Sequence, residues 1–146
     1  MNIMFRVTSM LESIKQVYYK TPDWLFASTS NYLHVLPKKD KIIIIPKSGG
    51  WLVLRDNMRF FSPTAKFFGH SLKTFEKRFE QVLKINYGDT VVDVGACLGE
   101  TTIPSLIKVG KKGFVIAVEP EPNNVRYLKV NTSGFNNVQI IEKAAW

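Results

Sequence analysis

A β-branched run followed by two closely spaced glycines and a helical pattern constrains the fold of this chain more than any other feature. The segment Thr90–Thr102 reads TVVDVGACLGETT. Its three valines predict a strand buried on both faces of a parallel sheet. Gly95 and Gly99 permit a sharp turn and the close approach of a ligand, because they lack a Cβ. Apolar residues then recur at helical spacing from Ile103, so the segment predicts the strand–turn–helix unit that offers backbone N–H groups to a nucleotide-like ligand.

The spacing of the glycines argues against one common type of nucleotide loop. A dinucleotide-binding loop needs the pattern G-x-G-x-x-G. Here the second glycine position holds Cys97, whose side chain would block the close approach of a pyrophosphate. The sequence has instead Asp93, one residue, Gly95, three residues and Gly99. A carboxylate two positions before the turn favours a cationic ligand, and S-adenosylmethionine fits because it carries a sulfonium and an α-ammonium group.

Two stretches connect this loop to a known family. The sequences DVGACLGETT at residues 93–102 and VIAVEPEPNNVRYLKVN at residues 115–131 resemble motifs of class I S-adenosylmethionine-dependent methyltransferases, and of the FkbM family in particular. The resemblance covers residues 90–146. It implies a Rossmann-like α/β fold, S-adenosylmethionine as cofactor, and O-methylation of a sugar, a glycan or another hydroxylated small molecule. A generic Rossmann-like turn around some other ligand is the alternative.

The resemblance and the positions of polar residues together predict the cofactor site. Asp93 is expected to act electrostatically near the methionine portion. Glu119 ends the second apolar strand, twenty positions after Gly99, where an acid can accept hydrogen bonds from ribose hydroxyls; the alternative is a solvated loop acid. Glu142 and the backbone of Ala144 lie where many class I methyltransferases contact adenine, although the usual aspartate is missing. The predicted cofactor-binding residues are Asp93, Gly95, Ala96, Cys97, Gly99, Thr101, Thr102, Glu119, Pro120, Glu142 and Ala144.

The remainder of the second half predicts a parallel sheet with crossover helices. Apolar runs predict strands at Phe114–Val118 and Val138–Ile141, and helical patterns predict helices at 72–84, 101–109 and 122–132. The resembled family has a seven-stranded sheet, so these elements correspond to its first three strands. We therefore expect the chain to be the N-terminal portion of a larger protein. By itself this portion would be inactive, because it lacks the loops that position an acceptor, and no catalytic residue can be named.

The first half predicts a different structure with a basic surface. Residues 1–70 are expected to form an N-terminal helix and a small antiparallel β unit, while residues 71–146 form the methyltransferase portion. Residues 1–88 carry 14 Lys+Arg and 6 Asp+Glu, whereas residues 89–146 carry six of each. This basic lobe keeps an RNA methyltransferase open as one alternative, although a solvated surface accounts for the charge equally well. A non-catalytic nucleotide-binding module is the other alternative, because the missing half would leave this portion without catalysis. The predicted helix covers residues 9–20, and the predicted strands cover residues 33–36, 42–45, 51–54 and 58–61.

Composition restricts the location and the metal chemistry. Cys97 is the only cysteine, so an intrachain disulfide is impossible, which favours a reducing compartment and predicts a cytoplasmic protein. His34 and His70 have no further ligand at metal-binding spacing, which argues against a zinc site. The longest aliphatic run, Ile42–Ile45, is too short to span a bilayer.

Overall fold

The computed structural model describes residues 22–25, 27, 42–55, 58–65 and 84–145. The predicted helix at 9–20 and the predicted strand at 33–36 lie outside the described residues. The predicted helix at 72–84 also lies outside them, except for Lys84, which is not helical. Within the described ranges no helix is long and apolar enough to cross a membrane.

An antiparallel sheet forms from three short strands in the first half of the chain. They are β1 (Ile42–Lys47), β2 (Gly50–Arg55) and β3 (Met58–Ser62), in the order β1-β2-β3. Each is one or two residues longer than predicted. Ile44, Val53 and Phe60 are direct cross-strand partners and are buried, so they place the apolar side of the sheet against the rest of the protein.

A parallel sheet forms from three strands in the second half, as the sequence predicts. The strands β4 (Thr90–Val94), β5 (Phe114–Val118) and β6 (Val138–Ile141) lie in the order β4-β5-β6. The connections contain the helices α1 (Thr102–Val109) and α2 (Pro122–Thr132). A single 3-10 turn follows α1 before the chain enters β5. The structure therefore has a Rossmann-like α/β arrangement in which both β4 and β5 end beside the glycine loop.

Only one face of the parallel sheet is covered by the described helices. Val91 and Val115 are buried with Leu106 and Val109 of α1, and Ala117 packs against Leu128 of α2. Val92 and Val94 point to the opposite face and are 59% and 63% exposed. The prediction that β4 is buried on both faces is therefore wrong for the described part of the chain, because both crossover helices pack on the same side of the sheet.

The antiparallel sheet docks onto the outer side of the helices. Ile103 of α1 belongs to the same buried cluster as the apolar side chains of β1, β2 and β3. Tyr127 of α2 contacts Phe61 of β3, with ring centroids 5.7 Å apart. The Tyr127 hydroxyl also donates a hydrogen bond to the carbonyl of Gly49, at 3.2 Å. The two sheets thus lie on opposite sides of α1 and α2. The end of β3 lies close to the segment that follows β4, where the sequence predicts the cofactor site.

Candidate functional site

The loop between β4 and α1 has an unusual backbone conformation. Gly95, Cys97 and Gly99 have φ angles of 81°, 48° and 103°, all in the left-handed region that non-glycine residues rarely occupy. The two glycines serve different purposes. A Cβ on Gly95 would meet nothing within 4 Å, whereas a Cβ on Gly99 would lie 3.1 Å from Leu128. Gly95 thus borders open space in which a ligand can approach, and Gly99 lets the loop pack against α2.

The backbone N–H groups of residues 95–99 in this loop are all hydrogen-bonded within the protein. Gly95 and Ala96 both donate to the carbonyl of Val118, and Gly99 donates to the carbonyl of Ala96. Two carboxylates accept the intervening pair: Glu119 from Cys97 at 2.8 Å, and Glu100 from Leu98 at 3.0 Å. The loop therefore differs from the sequence-based expectation that it offers unpaired N–H groups. A phosphate would have to displace these internal partners before it could bind here.

Glu119 is the residue that fixes the loop to the end of β5. Its side chain is only 5% exposed. Its Oε2 atom accepts from the Cys97 N–H, while Oε1 accepts from the backbone of Glu121 and the side chain of Asn124. A carboxylate has about four lone-pair sites, so one acceptor site is left on Oε2. Glu119 is thus a buried partner of the loop backbone, and the alternative of a solvated loop acid does not describe it.

A second carboxylate lies beneath the loop. Asp93 is 7% exposed, and its Oδ2 atom accepts a hydrogen bond from the Thr102 hydroxyl at 2.5 Å. Burial raises the pKa of Asp93, the Thr102 hydrogen bond opposes this shift, and the charge of Glu119 adds to it. The Thr102 hydroxyl is therefore engaged with Asp93 rather than directed at a ligand, and the pair joins β4 to the first turn of α1.

Glu100 was not singled out by the sequence, although it follows Gly99 directly. Burial is the main cause that raises the pKa of its carboxyl, while hydrogen bonds from the loop backbone oppose the shift. Its charge also acts on the neighbouring thiol: burial first, and then Glu100, raise the pKa of Cys97 to about 11. Cys97 consequently stays protonated at neutral pH, so its thiol is a poor nucleophile. The carboxylates of Asp93, Glu100 and Glu119 give the loop region a negative electrostatic potential, which favours a cationic ligand.

The remaining predicted residues lie around this loop or away from it. Thr101 precedes α1 and makes no side-chain cap hydrogen bond, and Pro120 is exposed after Glu119. Ala144 is half-buried. The carboxylate of Glu142 forms an exposed ion pair with Lys129 of α2, at 2.5 Å. The structure thus brings Asp93, the glycine loop, Thr102 and Glu119 together, while Glu142 is engaged with α2.

A separate cleft of about 440 Å³ lies between β3 and the two helices. Its lining includes Arg59, Ile103, Asn131 and Phe135, and none of the predicted cofactor residues. The glycine loop instead lies at the carboxyl ends of β4 and β5. Within the described ranges no group of three or more His, Cys, Asp or Glu side chains could hold a metal ion.

Known proteins share this fold. A solved structure of P. horikoshii TYW2 in complex with MeSAdo superposes with a TM-score of 0.53, at 20% identity, over 81% of this chain and 46% of that chain. A SAM-dependent methyltransferase from Aquifex aeolicus is 31% identical over 50% of this chain and 38% of its own, with a TM-score of only 0.39. The described part of the chain has the Rossmann-like fold of methyltransferases.

One curated relative extends the similarity to sequence. The "Probable cobalt-precorrin-6B C(15)-methyltransferase (decarboxylating)" of Sulfolobus acidocaldarius is 38% identical over 64 residues, which are 42% of this chain and 33% of the relative. The chain therefore matches one third of that relative's length. No family model matches the chain.

Proposed function

We propose that residues 71–146 are the cofactor-binding half of an S-adenosylmethionine-dependent methyltransferase of the FkbM type. One observation carries this proposal: the N–H groups of residues 95–99 are all paired within the protein, and the carboxylates of Asp93, Glu100 and Glu119 lie around the loop. A site of this kind disfavours a pyrophosphate and favours a ligand with positive charge. The methyltransferase fold and the resemblance of residues 93–102 and 115–131 to FkbM motifs support the same ligand.

The carboxylates account for the binding of a cation. Burial holds the pKa values of Asp93 and Glu100 above their ordinary values, because the charged forms lack solvation. A cationic ligand beside them would supply the missing stabilisation, so binding would favour the ionised carboxylates. When bound, S-adenosylmethionine supplies an electrophilic methyl group. The residues of this chain would hold and orient it.

Glu119 accounts for the binding of a ribose. Three donors already occupy its carboxylate, and counting lone pairs leaves one acceptor site on Oε2. This atom also accepts from the loop residue Cys97, so a hydroxyl bound there would lie beside the glycine loop. Space above Gly95 is open for the rest of the nucleoside. The count supports one ribose hydroxyl in the remaining site, where the sequence suggested two.

The acceptor of the methyl group follows from the family resemblance alone. A sugar or another hydroxylated small molecule is the substrate class that the FkbM motifs imply. RNA is the second candidate, because the whole excess of positive charge lies in residues 1–88. The two differ in their salt dependence, since RNA affinity falls steeply with salt through the release of counterions, whereas the affinity for a neutral sugar does not.

Calorimetric titration of the 146-residue chain with S-adenosylhomocysteine and with NAD tests the proposal. We expect S-adenosylhomocysteine to bind and NAD to give no heat of binding. Tight NAD binding with no response to S-adenosylhomocysteine would rule the proposal out. Asp93→Asn provides a matched variant, because it removes one carboxylate charge and retains an oxygen for the Thr102 hydroxyl. Its affinity for S-adenosylhomocysteine should fall.

A further inference from the structure

Asn131, near the end of α2, joins three parts of the protein through one side chain. Its Oδ1 atom accepts a hydrogen bond from the N–H of Phe61 in β3, at 2.6 Å. Its Nδ2 atom donates to the carbonyl of Phe61 at 3.0 Å and to the carbonyl of Leu98 at 2.8 Å. The amide therefore pairs with β3 as a neighbouring strand would, and with its other N–H it reaches the glycine loop.

The loop residue that Asn131 holds occupies a critical place. Leu98 stands between Cys97 and Gly99, whose φ angles are both in the left-handed region. Its side chain is buried, and its N–H donates to Glu100. A hydrogen bond to its carbonyl therefore fixes the peptide group that joins Leu98 to Gly99, next to Cys97 and its rare left-handed conformation. The Cys97 N–H that Glu119 binds lies two peptide groups earlier in the same loop, so we expect movement of the Leu98–Gly99 peptide to disturb this bond and the proposed ribose acceptor.

We propose that Asn131 is a positioning residue that couples the docking of the antiparallel sheet to the shape of the glycine loop. The proposal rests on the proposed function, since the loop is taken to bind S-adenosylmethionine. When β3 is docked, Phe61 orients the Asn131 amide, and the amide holds Leu98. A ligand that requires this loop shape consequently stabilises the docked sheet, and a docked sheet strengthens ligand binding by the same factor.

Tyr127 provides a matched control on the same helix. It lies four residues before Asn131, so both side chains project from one side of α2. Its ring packs against Phe61 and its hydroxyl donates to Gly49, so it docks the antiparallel sheet through contacts outside the glycine loop. A variant of Tyr127 therefore weakens docking alone, whereas a variant of Asn131 weakens docking and also releases the loop.

The test compares the wild-type chain with Asn131→Ala and Tyr127→Ala. We expect Asn131→Ala to lower the affinity for S-adenosylhomocysteine about tenfold or more, because it removes a hydrogen bond to a shielded carbonyl. At a similar loss of Tm, Tyr127→Ala should lower the affinity less than about threefold, because the bond to Leu98 remains. Equal losses of affinity in the two variants would show that Asn131 only docks the sheet, which overturns the proposal.

Hydrogen exchange of the ligand-free proteins separates this proposal from the proposed function. Asn131→Ala should accelerate exchange at the amides of Cys97, Leu98 and Gly99 more than Tyr127→Ala does. Failure of the wild-type chain to bind S-adenosylhomocysteine would remove the proposed function, but this comparison would still decide whether Asn131 positions the loop. Unchanged exchange at these three amides in Asn131→Ala would refute the positioning role.

Asn131→Asp adds a readout that lost packing would not change. Protonated, the introduced carboxyl offers a carbonyl to the Phe61 N–H and one hydroxyl, which can donate to the Leu98 carbonyl but leaves the Phe61 carbonyl without its bond. Ionised, it can only accept, so the bond to Leu98 is lost. Partial burial and the facing carbonyls of Phe61 and Leu98 should raise the pKa of the introduced carboxyl, so binding relative to wild type should recover as the pH falls from 8 towards 5. The described titratable groups on these elements are Arg59 of β3, Cys97 and Glu100 of the loop, and Arg126, Tyr127 and Lys129 of α2. They are the same in the wild-type chain, so the ratio to wild type isolates the introduced carboxyl. A ratio independent of pH would contradict the assigned donor role.

Discussion

The Glu119 carboxylate at the end of β5 accepts a hydrogen bond from the N–H of Cys97 in the glycine loop, at 2.8 Å. Cys97 is held in the left-handed region, with φ of 48°. This bond therefore stabilises a conformation that a cysteine adopts rarely. It also makes the proposed ribose acceptor part of the loop's own support, so binding and loop stability depend on the same carboxylate.

Glu119→Gln is expected to impair both loop stability and ligand binding. In one orientation the new NH₂ group faces the Cys97 N–H, so two donors meet and that hydrogen bond is lost. In the other orientation the NH₂ group faces the Glu121 N–H and the Asn124 amide, so those hydrogen bonds are lost instead. The free energy of unfolding should fall by about 1–3 kcal/mol, measured by urea denaturation, and S-adenosylhomocysteine should bind more weakly. Glu121→Gln is the control, because that exposed side chain only caps α2. Equal effects of the two variants would contradict the role assigned to Glu119.

Gly95→Ala should abolish the binding of S-adenosylhomocysteine. It should lower the free energy of unfolding no more than Gly88→Ala does. Gly95 and Gly88 have φ angles of 81° and 89°, and a Cβ on either would meet nothing within 4 Å. Both substitutions should therefore cost about 1–2 kcal/mol of backbone strain, measured by urea denaturation. Only the Cβ at Gly95 enters the ligand space, so only this variant should lose calorimetric binding of S-adenosylhomocysteine. Unimpaired binding by Gly95→Ala would show that Gly95 does not line the site.

The raised pKa values of Asp93 and Glu100 predict a pH dependence of stability and of binding. An acid whose pKa is higher in the folded state binds more protons when folded, so its contribution to stability falls as the pH rises through that interval. The interval begins near the ordinary values of 3.8 and 4.5. The free energy of unfolding of the ligand-free chain should therefore fall as the pH rises above about 4. In Asp93→Asn this fall should be smaller, because one of the two carboxyls is gone. Thermal denaturation at a series of pH values measures this difference.

The affinity for S-adenosylmethionine should rise with pH, whereas the stability of the ligand-free chain falls. Because the ligand favours the ionised carboxylates, binding should release protons, and affinity should rise with pH over the same interval. Titrations in buffers of different ionisation enthalpy measure the number of protons released. Proton uptake on binding would contradict the placement of a positive ligand group near Asp93 and Glu100.

Cys97 should react slowly with alkylating reagents in the folded protein. With a pKa of about 11, the thiolate fraction at pH 8 is on the order of a hundredfold below that of an ordinary thiol. The rate of modification by iodoacetamide measures this fraction, and the same chain unfolded in urea provides the reference rate. Similar rates in the folded and unfolded chain would contradict the burial of the thiol beside Glu100.

The sequence predicted elements whose signals are local. The valines of β4 and the apolar run of β5 predicted strands, and their shared parallel direction brought Glu119 beside the glycine loop. The contacts of Asn131 could not be predicted in this way, because its partner Phe61 is 70 residues away in sequence. The same holds for the exposure of Val92, since a valine run does not reveal on which face the crossover helices pack. The types of residue in the sequence indicated where the site lies. The partners of their hydrogen bonds depend on tertiary packing, which the sequence does not show.

The face of the parallel sheet that the described helices leave exposed affects how the protein should be studied in solution. Val92, Val94 and Phe114 expose apolar side chains there in the native state. Dyes that fluoresce on contact with apolar surface, such as anilinonaphthalene sulfonate, should bind to the folded chain as well as to partly unfolded forms. Dye fluorescence would then begin high before any melting occurs. Circular dichroism and tryptophan emission are therefore better suited to following the unfolding of this protein.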